Sequence, residues 1–392
     1  DTTEAEESLD ELEELVKTAG AEVAARVIQV RETPHPGTYI GKGKIDEVNA
    51  LLYGTDATGI VCDDELSPAQ ISNLEEALDT KVMDRTLIIL DIFAKRAFTR
   101  EGKIQVELAQ LKYRASKLTG QGRALSRLGG GIGTRGPGEK KLEMDRRLIR
   151  TRISRLKAEL RDVVKHREVQ RKQRQKNHLP VVCIVGYTNA GKSTLLNHFT
   201  NAGVYEEDQL FATLDPTTKS LDLSGGQTIL MTDTVGFIRK LPHHLVEAFK
   251  STLEEAKYSD LILHVVDASN PQKEKQMEAV YDILKQLGAN ESLIITAFNK
   301  IDLLNGDEIL KDPNAEAVVR ISGKNGEGTD QLLEQIEKIL QKQKLYLEKL
   351  YGYQEAGKIQ LIRSHGQLLK EEYRDDGIYV EAYIPKEILG SI

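Results

Sequence analysis

Five apolar residues, Val181–Val185, run straight into Gly186-Tyr187-Thr188-Asn189-Ala190-Gly191-Lys192-Ser193, which fits the spacing GxxxxGK[ST], and Thr194–Phe199 then opens a helix. A buried strand, a glycine-bounded loop and a helix in that order leave few folds open. The loop amides turn inward on an anion at the helix N-terminus, and the strand belongs inside a parallel α/β sheet. Gly186 and Gly191 let the chain wrap. Lys192 supplies positive charge to the β- and γ-phosphates of a nucleotide, and Ser193 offers a hydroxyl to Mg²⁺.

The residues that follow select the base and the phosphate state. Thr228–Thr232 reads as a strand ending in Asp233-Thr234-Val235-Gly236, where Asp233 can hold Mg²⁺ through water and the Gly236 amide can sense the γ-phosphate. Leu293–Phe298 reads as a strand ending in Asn299-Lys300-Ile301-Asp302. A carboxylate there accepts two hydrogen bonds from guanine N1–H and N2–H₂, whereas adenine offers no such pair, and leaving it unpaired costs about 1–3 kcal/mol. GTP, not ATP, is the expected nucleotide. Ser322-Gly323-Lys324, after the strand Val318–Ile321, is placed to support the far side of the base.

Between these motifs lies Phe211-Ala212-Thr213-Leu214-Asp215-Pro-Thr-Thr218. One of its threonines must reach Mg²⁺ and the γ-phosphate; Thr213 is the first choice, with Thr217 and Thr218 as alternatives. Lys192, Thr213 and Gly236 are therefore the expected catalytic set. Phe237 stands where many GTPases carry the glutamine that orients the attacking water. A phenyl ring cannot hydrogen-bond water, so slow intrinsic turnover is expected unless another element or a macromolecular partner completes the arrangement. Asn189 could ligate a monovalent cation such as K⁺ beside the phosphates, or simply stabilise the loop turn.

Charge is segregated along the chain. Residues 1–94 carry 7 basic and 21 acidic side chains, residues 95–178 carry 25 and 8, and residues 179–392 carry 22 and 32, so a net of −7 conceals a block at +17. Within that block Ile104–Thr119 and Glu143–Lys176 have helical apolar spacing, and Gly120–Gly138 between them holds eight glycines in nineteen residues. Two antiparallel helices with a glycine-rich tip would present Arg123, Arg127, Arg135, Lys140, Lys141, Arg146 and Arg147 to an anionic surface. Self-repulsion at this charge makes nucleic acid the favoured partner, bound through phosphates because the tip has no aromatic residues.

Residues 1–97 alternate expected strands (Arg26–Val30, Gly59–Cys62, Lys81–Met83) with expected helices (Leu9–Thr18, Gly43–Leu52, Pro68–Leu78, Thr86–Ala97), which implies a small parallel sheet. Gly41-Lys-Gly-Lys44 lacks the other positions of a phosphate-binding fingerprint. The last segment reads as strands at Ile359–Ile362 and Gly377–Ile384 around a helix at Gln367–Arg374, its tyrosines serving packing. Apolar runs such as Thr86–Phe98 and Leu261–Asp267 are too short for a transmembrane helix. No signal peptide is visible, so a cytoplasmic protein is expected, with Cys62 and Cys183 as buried reduced thiols.

GYTNAGKST, FATLDPTT, DTVGF and NKID, together with GGGIGTRGPGEKKLEMDRR joined to a basic helix, resemble the HflX family of the Obg–HflX group over nearly the whole chain. The resemblance implies a multidomain α/β protein: an N-terminal α/β domain (1–97), a basic helical hairpin (98–178), a Ras-like P-loop GTPase domain (179–344) and a small C-terminal α/β domain (345–392). It also implies a GTPase that uses Mg²⁺, binds the large ribosomal subunit and its rRNA near the peptidyl-transferase centre as a monomer, and dissociates stalled or stress-arrested ribosomes. A GTP-timed assembly or RNA-binding factor is the alternative. In the family the threonine of FATLD is the Mg²⁺ ligand, which favours Thr213. Ser322-Gly323-Lys324 departs from the more usual Ser-Ala at the base.

Overall fold

The computed structural model describes residues 2–125, 137–176, 179–200, 210–224, 227–241, 245, 253–289, 292–304, 306 and 308–392. They fall into two compact units, one built from the chain up to Val163 together with Leu210, Phe211, Lys240, Leu241 and Leu245, the other from the remaining described residues.

The first unit begins with α1 (Thr2–Thr18), α2 (Lys42–Thr55), β1 (Gly59–Cys62), α3 (Pro68–Leu78), β2 (Lys81–Asp84) and α4 (Arg85–Arg96). β1 and β2 pair in parallel, from Gly59 opposite Lys81 to Cys62 opposite Asp84. α3 starts where the sequence dictates: the Ser67 hydroxyl accepts the Gln70 amide, the Gln70 side chain answers, and Pro68 takes the first helical position. Val48, Cys62, Leu66, Leu74, Leu78 and Val82 form the core between these elements. Fully buried Asp84 accepts the amides of Leu87 (3.0 Å) and Leu66 (3.2 Å) and the Tyr113 hydroxyl (3.0 Å), so its charge is capped from three sides. Buried Arg85 pairs with Glu11 and with Asp63 at 2.7 Å.

The strand expected at Arg26–Val30 does not form. Val27 packs on the core, Val30 is 76% exposed, and Arg26 pairs with Asp10 and Glu13 of α1. A short alternating run without a neighbouring strand leaves its backbone groups unpaired, so it remains irregular. Gly41 is the N-cap residue of α2.

α5 (Arg100–Leu125) and α6 (Pro137–Lys176) are the two expected basic helices, each longer than its apolar periodicity suggests. They run antiparallel: Arg152 forks onto Glu107 at 2.7 and 2.9 Å, and Arg146 donates to the Leu118 carbonyl at 2.8 Å. Ile104, Leu108 and Leu156 fill the seam. Gly120, Gly122 and Gly138 are helical, so both flanks of the glycine-rich segment are ordered as helix. Arg127 and Arg135 lie outside the described residues, as do the side chains of Arg123, Lys140 and Lys141.

The second unit contains β3 (Val181–Gly186), α7 (Lys192–Thr200), β4 (Thr217–Asp222), β5 (Thr228–Asp233), β6 (Leu261–Asp267), α8 (Lys273–Leu287), β7 (Ile294–Asn299), β8 (Ala317–Arg320) and α9 (Thr329–Lys342). The sheet order is β4-β5-β3-β6-β7-β8, all parallel except the antiparallel edge strand β4. Ile184, Ile229, Leu263 and Ile295 lie in one core with Leu332, Ile336, Ile339 and Leu340 of α9, whose three- and four-residue spacing presents one apolar face. The parallel strands β3, β5, β6 and β7 end together at Gly186, Asp233, Asp267 and Asn299, and ligands of open α/β sheets bind beyond such carboxyl ends.

The C-terminal residues form β9 (Leu345–Tyr351), α10 (Ala356–His365), β10 (Gln367–Arg374) and β11 (Gly377–Ile384), an antiparallel sheet in the order β10-β11-β9. This reverses the expected assignment of two segments. Ile359 and Ile362 are buried three residues apart on one face of a helix, a spacing too short to distinguish from a strand in the sequence. Gln367–Arg374 is a strand because Asp375-Asp376 turns it back onto β11, from Arg374 opposite Gly377 to Gln367 opposite Tyr383. Tyr351 is buried, whereas Tyr346, Tyr353 and Tyr373 are exposed. Both cysteines are free and buried, and no helix among the described residues is long and apolar enough to cross a membrane.

Candidate nucleotide site

The loop between β3 and α7 takes the shape its glycines permit. Gly186 (φ +156°) passes so close to β6 that a Cβ would lie 2.2 Å from the Val265 carbonyl oxygen, and at Gly191 (φ +90°) a Cβ would lie 2.2 Å from Asn299 Nδ2. Asn189 also adopts a left-handed conformation, which the carboxamide side chain tolerates better than most. Lys192 begins α7, buried, and donates to the Tyr187 carbonyl at 2.7 Å. Burial pulls its ammonium down to about 8, against the attraction of Asp233. A buried cation in this position is under-compensated, and a polyphosphate would supply the missing negative charge.

Three hydroxyl and carboxylate oxygens converge beside it. Ser193 Oγ lies 2.8 Å from Thr213 Oγ1 and 2.8 Å from Asp233 Oδ2, and Thr213 Oγ1 lies 3.0 Å from the same Oδ2. Adjacent ligands of an octahedral ion with metal–oxygen distances of about 2.0–2.1 Å are about 2.9 Å apart, so the triangle matches the edge lengths of an Mg²⁺ shell. Asp233 Oδ1 is buried with no hydrogen-bond partner among the described residues, and burial pushes the carboxyl upward despite Lys192, Ser193 and Thr213. The donor set and the under-compensated carboxylate both fit a divalent ion held directly or through water. The alternatives to Thr213 are placed elsewhere: Thr217 stands opposite Asp233 in the β4·β5 ladder, and the Thr218 hydroxyl pairs with that of Thr232 at 2.9 Å.

Beyond Asp233, the Thr234 hydroxyl donates to the Ile184 carbonyl at 2.7 Å, Val235 is buried, and Gly236 packs directly on the loop: a Cβ there would lie 2.9 Å from Thr188 Cα and 3.0 Å from Lys192 Nζ. Phe237 is buried, consistent with its inability to handle water.

At the base end, Asn299 joins two loops. Its Nδ2 donates to the Ala190 carbonyl at 2.9 Å and its Oδ1 accepts the Gly323 amide at 2.8 Å. Lys300 pairs with Asp267 at 2.8 Å, Ile301 donates its amide to the Ile321 carbonyl at 3.3 Å, and exposed Asp302 accepts the buried Ser322 hydroxyl at 2.6 Å. Ser322 thus orients a carboxylate that remains open to solvent and to an incoming base. Lys324 is exposed.

Several expected ligands serve other ends through their side chains. Phe211 is buried in the first unit with its ring edge-to-face on Phe93, centroids 4.7 Å apart, and Leu214 is buried. Tyr187 is buried and its hydroxyl oxygen accepts the Arg239 amide at 2.7 Å. Ala212, Thr194 and Asp215 are half-buried. On the basic helices Arg147 is exposed, whereas Arg146 is committed to the Leu118 carbonyl. Sequence reasoning did not find the Tyr187–Arg239 bond or the Phe211–Phe93 contact, both between residues far apart in the chain. It also missed buried His264, whose ring nitrogens have no hydrogen-bond partner among the described residues.

Family profiles match along the chain: GTP-binding GTPase N-terminal over residues 6–94, GTP-binding GTPase Middle Region over 96–174, and 50S ribosome-binding GTPase over 181–300. The GTPase HflX of Lacrimispora saccharolytica is 68% identical over 100% of this chain and 93% of its own length. That of Caldanaerobacter subterraneus subsp. tengcongensis is 52% identical over 98% of this chain and 89% of its own. Among solved structures, the crystal structure of SsGBP with GDP is similar at 26% identity and a TM-score of 0.48, covering 84% of this chain and 94% of that one.

Proposed function

The chain belongs to the HflX family of GTPases, and on that premise we propose that it binds the large ribosomal subunit in its GTP state, dissociates stalled or stress-arrested ribosomes, and leaves when GTP is hydrolysed. That it binds and hydrolyses GTP follows from the family and the GTPase profile. The ribosomal reading is carried by one observation: the block at +17, residues 95–178, forms an antiparallel helix pair in a chain whose other parts are acidic. The profile description as a 50S ribosome-binding GTPase supports the same partner.

In this reading the four segments 1–97, 98–178, 179–344 and 345–392 are the working parts. The loop amides from Gly186 to Gly191 and the Lys192 ammonium hold the phosphates, and Asp302, oriented by Ser322, takes the guanine edge. Ser193, Thr213 and Asp233, the last through water, would hold Mg²⁺, which would supply positive charge to the phosphates. Thr213 and the Gly236 amide both address the γ-phosphate, so its loss frees the segments that carry them. Asn189 can add a K⁺ ion at the same phosphates. Arg147 and the basic residues around the glycine-rich tip, Arg123, Arg127, Arg135, Lys140 and Lys141, meet rRNA phosphates near the peptidyl-transferase centre, and the protein acts there as a monomer in the cytoplasm. Arg146, tied to Leu118, stiffens the pair. Phe237 leaves water unoriented, so the ribosome completes catalysis.

Sucrose gradients of intact ribosomes test this. Addition of protein with GTP is expected to convert intact particles into subunits. Intact ribosomes left unsplit, with the protein bound to immature particles instead, would favour a GTP-timed assembly factor.

A further inference from the structure

Gly236 must place its amide within a fraction of an ångström to register a γ-phosphate, yet Phe237, the next residue, offers no polar side chain to fix it. The segment is instead stitched to the phosphate loop. Phe237 donates its amide to the Gly186 carbonyl at 3.1 Å and accepts the Thr188 amide at 2.8 Å, and Tyr187 pairs with Phe237 as an isolated parallel bridge. Two residues on, the Arg239 amide donates to the Tyr187 hydroxyl oxygen at 2.7 Å. The first two bonds are main-chain to main-chain. The third depends on one side chain, which is only 5% exposed and occupies the second position of the phosphate loop.

We propose that Tyr187 is a positioning residue for GTP hydrolysis: by accepting the Arg239 amide it fastens the far side of the Gly236 segment to the phosphate loop and sets the γ-phosphate-sensing amide in place. The inference rests on the reading of Gly236 as the sensor. It assigns to the tyrosine a role distinct from nucleotide contact, because its hydroxyl is directed to Arg239. Thr188 contributes through its backbone amide, which donates to the Phe237 carbonyl at 2.8 Å. Without the Tyr187–Arg239 bond the segment keeps its inner two stitches and gains freedom beyond Phe237. A group that acts this way affects the triphosphate state and leaves the diphosphate state alone, since GDP offers nothing for Gly236 to sense.

The test is Tyr187→Phe in the full chain, which removes the hydroxyl and keeps the ring. Affinities for GDP and for a non-hydrolysable GTP analogue are measured by calorimetry, single-turnover GTP hydrolysis is timed, and amide hydrogen exchange is followed at Phe237–Arg239. The expected result is unchanged GDP affinity, about fivefold weaker analogue binding and about fivefold slower hydrolysis, the worth of one buried hydrogen bond, with faster exchange at Arg239. Equal losses for GDP and analogue would make Tyr187 a general loop support and overturn the proposal, as would a variant indistinguishable from wild type. The wild-type protein tests the underlying reading separately: its Arg239 amide must exchange more slowly with analogue than with GDP. If it does not, the sensor reading fails and takes the proposal with it; if it does while Tyr187→Phe changes nothing, only the tyrosine's role is refuted.

Discussion

Asn299 offers the sharpest energetic test of how the site is assembled. Its carboxamide is 3% exposed and makes one bond in each direction, Nδ2 to the Ala190 carbonyl at 2.9 Å and Oδ1 from the Gly323 amide at 2.8 Å. Asn299→Ala removes both and strands a carbonyl and an amide in a region closed to solvent. Each lost bond is worth about 1 kcal/mol and each stranded group costs about 1–3 kcal/mol, so with partial relaxation the net loss is expected at about 2–4 kcal/mol. Because the bonds tie the phosphate loop to the loop beneath the base, part of that loss appears in binding: GDP affinity should fall about 10- to 100-fold, at about 1.4 kcal/mol per tenfold. Asn299→Asp sharpens the test. It retains the acceptor for Gly323 but sets a second acceptor against the Ala190 carbonyl, so it should bind GDP no better than the alanine variant despite its closer shape. Calorimetric unfolding and GDP titration of the three proteins suffice. An alanine variant within about 0.5 kcal/mol and twofold of wild type, or an aspartate variant as good as wild type, would refute the bridging role.

Three further outcomes are expected. Burial holds the His264 ring near a pKa of about 4, below its ordinary 6.5, so the unfolded chain binds the extra proton between these values and the associated stability, about 3 kcal/mol, is present above pH 6.5 and lost as pH falls through 4; His264→Leu should flatten that part of a stability-versus-pH curve, and an unchanged slope would contradict it. Lys192 titrates near 8 without nucleotide and should be raised by bound phosphates, so GDP binding at pH 8–9 should take up a proton, visible as a dependence of calorimetric enthalpy on the buffer; no uptake would mean the ammonium is already fully charged. Thr213→Val should weaken Mg²⁺-dependent binding of a GTP analogue about tenfold and spare GDP, the loss of about 1.4 kcal/mol from one ligand, whereas Thr217→Val should leave both affinities unchanged; equal effects of the two substitutions on the analogue would remove Thr213 from the metal shell.

What could be read from the sequence follows how local each determinant is. The phosphate loop was legible because its chemistry is written in eight consecutive residues flanked by a strand and a helix. The two basic helices were legible from their apolar spacing, their full extent less so, since glycines that read as loop are carried within helix. Ile359–Ile362 and Gln367–Arg374 were assigned the wrong way round because strand pairing with β11 and burial against it, both long-range, decided between two patterns of equal local merit. That Thr213 lies beside Ser193 and Asp233 rests on distances that spacing does not contain. The same holds for Tyr187, whose hydroxyl partner lies 52 residues away.

Under the proposed function, the γ-phosphate governs attachment to the large ribosomal subunit through a basic helical pair. Co-sedimentation of the protein with purified large subunits, in the presence of a non-hydrolysable GTP analogue or GDP and across a salt series, tests it directly. Strong pelleting with the analogue, weak pelleting with GDP, and a steep fall of the analogue-bound fraction as salt rises are expected where several phosphates are neutralised. Equal pelleting with the two nucleotides, or binding indifferent to salt, would contradict it.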